Sequence, residues 1–98
     1  MEITINESAT KGFALAEDKG TTAGKMTFSI PSSDFIIIDH TEVEQEFKGQ
    51  GVGKQMLDRL VEMAREKEIK ILPLCPFASA MFKKHKDIQD VLKTTLSK

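Results

Sequence analysis

Three groups of residues in this sequence have the types and spacings that chemistry needs. The first is Phe47-Lys48-Gly49-Gln50-Gly51-Val52-Gly53-Lys54, where glycines recur at alternate positions. Glycine lets the backbone approach a ligand closely and adopt dihedrals closed to other residues. At the start of a helix such a turn aims unpaired amides and the helix dipole at negative charge, and phosphate or pyrophosphate is the ligand that suits it. Lys48 and Lys54 add positive charge on either side. A turn selected only for tightness has the same composition, but three glycines ahead of a well-formed helix favour a ligand. The second group is His40 and Glu42, which on a regular strand point to one face. Histidine is the default base near neutrality; the alternative is a His hydrogen-bonded beneath a sheet, fixing the strand. Asp39, Glu44 and Glu46 surround the pair, either to attract a cation or as a solvated acidic loop. The third is Cys75, open to three readings: nucleophile, acid for a leaving group, or small buried packing residue.

Two common phosphate motifs do not fit the glycine turn. In G-x-x-x-x-G-K-[ST], Lys48 stands where the first Gly belongs and Gln55 where a hydroxyl is required. In G-x-G-x-x-G, Gly49 and Gly51 are followed by Lys54 at the third position. What remains is a [QR]-x-x-G-x-[GA] turn with Lys48 leading. No metal site is expected, because one Cys and two His in different elements match no ligand spacing. His85, between Lys84 and Lys86, reads as a helix-end residue.

These residues need elements to position them. Glu2–Asn6 alternates Ile3 and Ile5 with polar neighbours and reads as a strand. A second strand carries Phe13 and Leu15 and ends at the Asp18-Lys19-Gly20 turn; a third, Thr22–Ile30, has Met26, Phe28 and Ile30 on one face. Pro31-Ser32-Ser33-Asp34 closes it, so an antiparallel meander is expected. Phe35–Val43 begins with four apolar residues and ends polar, the pattern of a central strand buried on both faces, with its ligand end at the C-terminus. From Val52 the period becomes helical: Val52, Met56, Leu57, Leu60, Val61 and Ala64 form one stripe, and the helix runs to about Lys67. Ile69–Cys75 is a second buried strand, so strand, helix and strand make a right-handed βαβ unit with parallel strands. Pro73 cannot donate to a ladder and marks the place where pairing between the parallel strands lapses into a splay. Ala78–His85 and Asp87–Leu96 read as short closing helices. The fold class is α/β, a mixed sheet of meander plus βαβ.

Ninety-eight residues, 40% hydrophobic and 30% charged, describe one domain over positions 1–98 and argue against disorder. The longest aliphatic or aromatic run, Phe35–Ile38, is far short of the roughly 20 residues of a membrane span, so no membrane partner is expected. Met1-Glu2-Ile3-Thr4 does not open a secretory signal, and a single cysteine suits a reducing compartment, making cytoplasm the expectation. A net charge of −1 gives no reason to expect nucleic acid. Residues 1–50 hold nine acids and four bases, whereas residues 51–98 hold six acids and ten bases. That polarity suits an anion on one side and a cation on the other, and equally an uneven surface without purpose. There is no Tyr and no Trp, which excludes a phenolic acid and indole stacking.

From Phe35 to His85 the chain resembles the GNAT superfamily of acyl-CoA N-acyltransferases, and more narrowly its minimal single-domain members. The resemblance is carried, in order, by Asp39-His40-Thr41-Glu42-Val43, by Phe47 through Gly53, by Pro73-Leu74-Cys75-Pro76-Phe77 and by Lys84-His85. Lys48 replaces the usual Arg or Gln, and the chain is too short for the helices that line the acceptor site of larger members. The resemblance implies acetyl-CoA (coenzyme A) held across the splay: pantetheine amides on the backbone near Glu42 and Val43, and pyrophosphate on the amides of Gly49, Gln50, Gly51, Val52, Gly53 and Lys54. Phe47 and Lys48 precede that cradle, and Phe77, Met81, Phe82 and Lys84 flank the pantetheine and adenine ends, unless Met81 and Phe82 are core. It implies a Val43 amide polarising the thioester, His40 and Glu42 at the amine, Cys75 near the acetyl group, and direct transfer as the usual route. The expected activity is N-acetyl transfer to a small-molecule amine or an exposed protein amine by a monomer or weak dimer. The alternative is a module that binds acetyl-CoA or CoA without turnover, as sensor or partner-binding protein.

Overall fold

The computed structural model describes residues 1–94. Its strands β1 (Glu2–Glu7), β2 (Lys11–Asp18), β3 (Thr21–Ser29), β4 (Phe35–Val43) and β5 (Lys70–Pro73) form one sheet in that order. The first four are antiparallel neighbours, as the alternating sequence and short connections require. Lys19 and Gly20 both adopt positive φ (52° and 84°), the primed geometry that lets a two-residue turn follow strand twist between β2 and β3. Helix α1 (Val52–Lys67) then carries the chain to β5, which pairs in parallel with β4 from Phe35↔Lys70 to Ile38↔Pro73.

The helical stripe read from the sequence packs on the sheet. Met56, Leu57, Leu60, Val61 and Ala64 meet Ala14, Ala16, Met26, Phe28, Ile36 and Ile38 in one core, joined by Ala78 and Phe82 of α2 (Pro76–Lys84). Small residues on β2 let the helix sit close to the sheet, and the continuous apolar surface removed from water supplies the main driving force. Among the described residues, the opposite face carries no helix. Phe35 and Ile37 are therefore half-buried, and the expected burial of β4 on both faces holds only for Ile36 and Ile38.

The largest departures from expectation follow β5. β5 ends at Pro73 rather than Cys75, because Cys75 is already the N-cap of α2 and Pro76 its first residue. For the same reason α2 begins at Pro76, two residues before the expected start. The expected helix Asp87–Leu96 is a 3-10 segment over Lys86–Val91, after which Leu92 bridges in parallel to Ile71 and the Lys93 N–H donates to the Ile71 carbonyl (2.8 Å). The chain is held there by Arg65, bidentate to Asp90 (3.0 and 2.8 Å) and bonded to the Asp87 carbonyl (2.8 Å). Covering the edge of β5 needs extended backbone, and that requirement overrides weak helix propensity. Thr95 and Leu96 lie outside the described residues. Among the described residues, no helix is long and apolar enough to cross a membrane.

Candidate active site

Pairing between β4 and β5 stops at Ile38 and Pro73. The Ile38 carbonyl accepts from two successive amides, Leu74 and Cys75 (3.1 Å each), as β5 turns away into α2. β4 continues for five more residues with no paired strand on that side among the described residues. The Glu44 N–H donates to the Ala23 carbonyl (2.8 Å). Strand N–H groups alternate between the two edges, so those of Thr41 and Val43 face the gap. An extended ligand entering it meets a strand edge with free donors and acceptors. The splay signalled by Pro73 is thus present.

A bulge decides which side chains reach each face of this edge. Thr27 pairs with His40 and Phe28 with Ile38, leaving Asp39 unopposed. Without the extra residue, His40 and Glu42 would follow Ile36 and Ile38 into the core; the one-residue slip turns them outward. His40 and Glu42 therefore share the open face, with Nε2 and Oε2 3.3 Å apart and side chains 66% and 64% exposed. Asp39 accepts a hydrogen bond from the Ser29 hydroxyl (2.7 Å). Thr41 and Val43 take the core side. There the Thr41 hydroxyl lies 3.1 Å from Cys75 Sγ, which also accepts from the Ala78 N–H (3.4 Å) as the cap of α2. Cys75 is buried. His40 and Glu42 thus come together as expected, while Cys75 is gathered to Thr41 on the opposite side of the strand. Thr41 was not singled out from the sequence; its alternation with His40 and Glu42 placed it on the far face, and the approach of Cys75 could not be read from spacing.

The glycine turn opens directly beside the gap. Gly49 and Gly51 adopt left-handed φ (85° and 74°), and Gly51 is the N-cap of α1, with no side-chain cap and no acid in the first turn. The first helical bond is from Gln55 N–H to the Gly51 carbonyl (3.0 Å), so the amides of Val52, Gly53 and Lys54 have no intrahelical partner. An uncapped helix start with unopposed dipole is an anion site. Gly53 has a different purpose: a Cβ there would meet the Phe77 ring at 2.5–3.1 Å. Its bare backbone lets α2 lay Phe77 over the start of α1, walling the turn.

The remaining residues fall as follows. Val43 and Phe47 are half-buried against the core, and the Phe47 carbonyl accepts from the Gln50 N–H (3.3 Å). Gln50 also reaches back from its side chain to the Glu46 carbonyl (3.4 Å). Val52 is buried. Lys48 and Lys84 are exposed, while Lys54 is turned along the helix to Asp58 (2.8 and 3.0 Å), which draws its charge from the turn. Phe82 is 1% exposed and packed in the core, so it presents no surface to the gap; Met81 is half-buried against the same core. Leu74, 62% exposed where β5 leaves β4, is an apolar side chain that sequence reading passed over within an apolar run. Among the described residues, no group of His, Cys, Asp and Glu can hold a metal ion.

The fold has known counterparts. The family model described as GCN5-related N-acetyl-transferase matches residues 12–91. Among curated proteins none matches the chain. The solution structure of a GCN5-like protein from Staphylococcus aureus is similar, with 35% identity and a TM-score of 0.69 over 96% of this chain and 91% of that one. A ribosomal-protein-alanine N-acetyltransferase from Brucella melitensis shares the fold at 17% identity and a TM-score of 0.70, over 90% of this chain. This chain spans only 65% of that enzyme. A GNAT acetyltransferase from Elizabethkingia anophelis, with acetyl-CoA bound, aligns over 63% of this chain and 41% of its own at 22% identity and a TM-score of 0.57. With most of its length matched by one family model and a gap and glycine turn in the places described, this chain belongs to the GCN5-related N-acetyltransferase family.

Proposed function

We propose that this chain is an acetyl-CoA-dependent N-acetyltransferase acting on an amine by direct transfer. The observation that carries the reading is the junction of the β4–β5 gap with the uncapped start of α1. The amides of Val52, Gly53 and Lys54, aimed by the Gly49–Gly51 turn, hold the pyrophosphate, with Lys48 and Lys84 supplying exposed positive charge nearby. The free N–H and C=O groups of β4 from Thr41 to Val43 pair with the pantetheine, and the Val43 N–H polarises the thioester carbonyl. Acetyl-CoA supplies the activated acetyl group and a thiolate leaving group. On the open face, His40 takes the proton that an ammonium acceptor must lose, and Glu42, 3.3 Å away, orients the imidazole. Cys75 holds Thr41 and caps α2, a positioning role, and no Tyr is available to protonate the departing sulfur.

One observation favours a rival. His40 is 66% exposed and, among the described residues, no helix walls the open face, as a domain that binds the thioester without turnover would tolerate. Incubation with radiolabelled acetyl-CoA and a panel of amines and lysine peptides separates the two. Transfer that falls about 10²–10⁴-fold in His40→Gln, with acetyl-CoA affinity retained, supports the enzyme. Binding without transfer to any acceptor supports the module. Loss of neither binding nor transfer in His40→Gln removes His40 from the chemistry.

A further inference from the structure

The uncovered face of the sheet holds a cavity of about 540 Å³, within the roughly 300–1,000 Å³ typical of small-molecule sites. It runs from Asp39 at the β4 bulge across β3 and β2, with Phe13 in its lining and Lys11 and Lys25 beside it. Its charges are unequally engaged. Glu7 is paired with Lys67 (2.8 Å) and Asp39 with the Ser29 hydroxyl (2.7 Å). Lys11 and Lys25 form no ion pair among the described residues. Lys25 stands opposite Glu42 in the register, yet Glu42 turns to His40 and the Lys25 ammonium lies over the Phe13 ring instead, 4.5 Å from its centroid. A cation parked on an aromatic face at the mouth of a cavity is poised for an anion. The spare positive charge and the His40–Glu42 pair lie on the same face, separated by one to two strand spacings, about 5–10 Å.

We propose that this cavity binds the carboxylate of the acetyl acceptor, so that the acceptor is an amino acid or peptide-derived amine whose amine and carboxylate are several methylenes apart. The proposal rests on the reading of the chain as an N-acetyltransferase. The amine lies at His40 and Glu42, the carboxylate reaches Lys25 with Lys11 behind it, and the methylenes cross the Phe13 ring. An α-amine lies too close to its carboxylate to span both ends, and a diamine places a second cation against Lys25.

The test compares ε-aminocaproate, n-hexylamine and cadaverine, which differ only slightly in length. In the wild-type protein kcat/KM for ε-aminocaproate should exceed that for n-hexylamine by up to about fivefold, the upper range of a solvent-exposed charge pair. Lys25→Gln should bring that ratio near one, and Lys25→Glu should shift preference to cadaverine. Lys86→Gln, which removes the same charge outside the cavity, should leave the ratio as it is. An equal ratio in wild type and Lys25→Gln overturns the proposal. Should no amine be acetylated, the transferase reading fails, and the cavity is then judged by titration alone. In the acetyl-CoA-saturated protein, ε-aminocaproate should move the amide signals of Lys11, Phe13 and Lys25 where n-hexylamine does not; equal shifts with both compounds overturn the site.

Discussion

Gly51 and Gly20 offer a matched pair of perturbations. Both have left-handed φ (74° and 84°), and at neither would a Cβ meet any atom within 4 Å. Alanine at either position therefore carries the same backbone penalty, about 1–2 kcal/mol for a left-handed L-residue, and no steric term. For a domain of this size that lowers Tm by roughly 5–10 °C in each variant. Their positions differ: Gly20 is in the β2–β3 turn, whereas Gly51 is the N-cap whose conformation sets the direction of the amides opening α1. A hydrogen bond to a charged group contributes about 1.5–3 kcal/mol, so a turn relaxed enough to misaim one amide weakens acetyl-CoA binding by about 10–100-fold. Isothermal titration and thermal unfolding on the same preparations should show equal losses of Tm but weaker binding only in Gly51→Ala. Binding within twofold in the two variants would refute the phosphate cradle, whatever the fate of the fold.

Gly53→Ala should destabilise the protein despite the roughly 1 kcal/mol that alanine gains in a helix, because the Phe77 ring occupies the space at 2.5–3.1 Å and displacing it costs about 1–3 kcal/mol. In a Phe77→Ala background the same change should be neutral or stabilising by urea unfolding; stabilisation of the wild type would show that the ring yields freely. Cys75→Ala should cost about 1 kcal/mol through the lost cap of α2 and leave turnover within about threefold, whereas a large loss of turnover with acetyl-CoA binding retained would give the thiol a chemical role. The hydrogen bond from Arg65 holds the Asp90 carboxyl below its ordinary value. The stability it adds is present above the usual carboxylate pKa, about 3.9, and disappears as pH falls through the lower folded value. Asp90→Asn should therefore lower Tm at pH 7 by an amount that shrinks as the pH is taken below the usual carboxylate pKa; a constant difference in Tm across that range would dissociate the pair from the effect.

The features legible in the sequence are those fixed by local chemistry. Alternation in β1 to β3, the stripe from Val52 to Ala64, and the glycines before α1 follow from strand and helix periods and from backbone freedom, all within a few residues. Pro73 belongs with them, since a missing N–H weakens a ladder wherever the strand lies. Tertiary structure decided what depends on neighbours distant in the chain. The bulge at Asp39 arises from the register of β4 on β3, and it alone sends His40 and Glu42 to the open face and Thr41 toward Cys75. Phe82 falls in the core and Phe77 on Gly53 because α2 is pinned between α1 and β5, and no spacing within α2 distinguishes the two rings. The 3-10 segment replaces a helix because Arg65, 25 residues away, holds Asp90 while β5 needs its edge covered. Periodicity records which residues a single element buries; a one-residue slip between strands, which leaves that composition unchanged, decides which of them can act together.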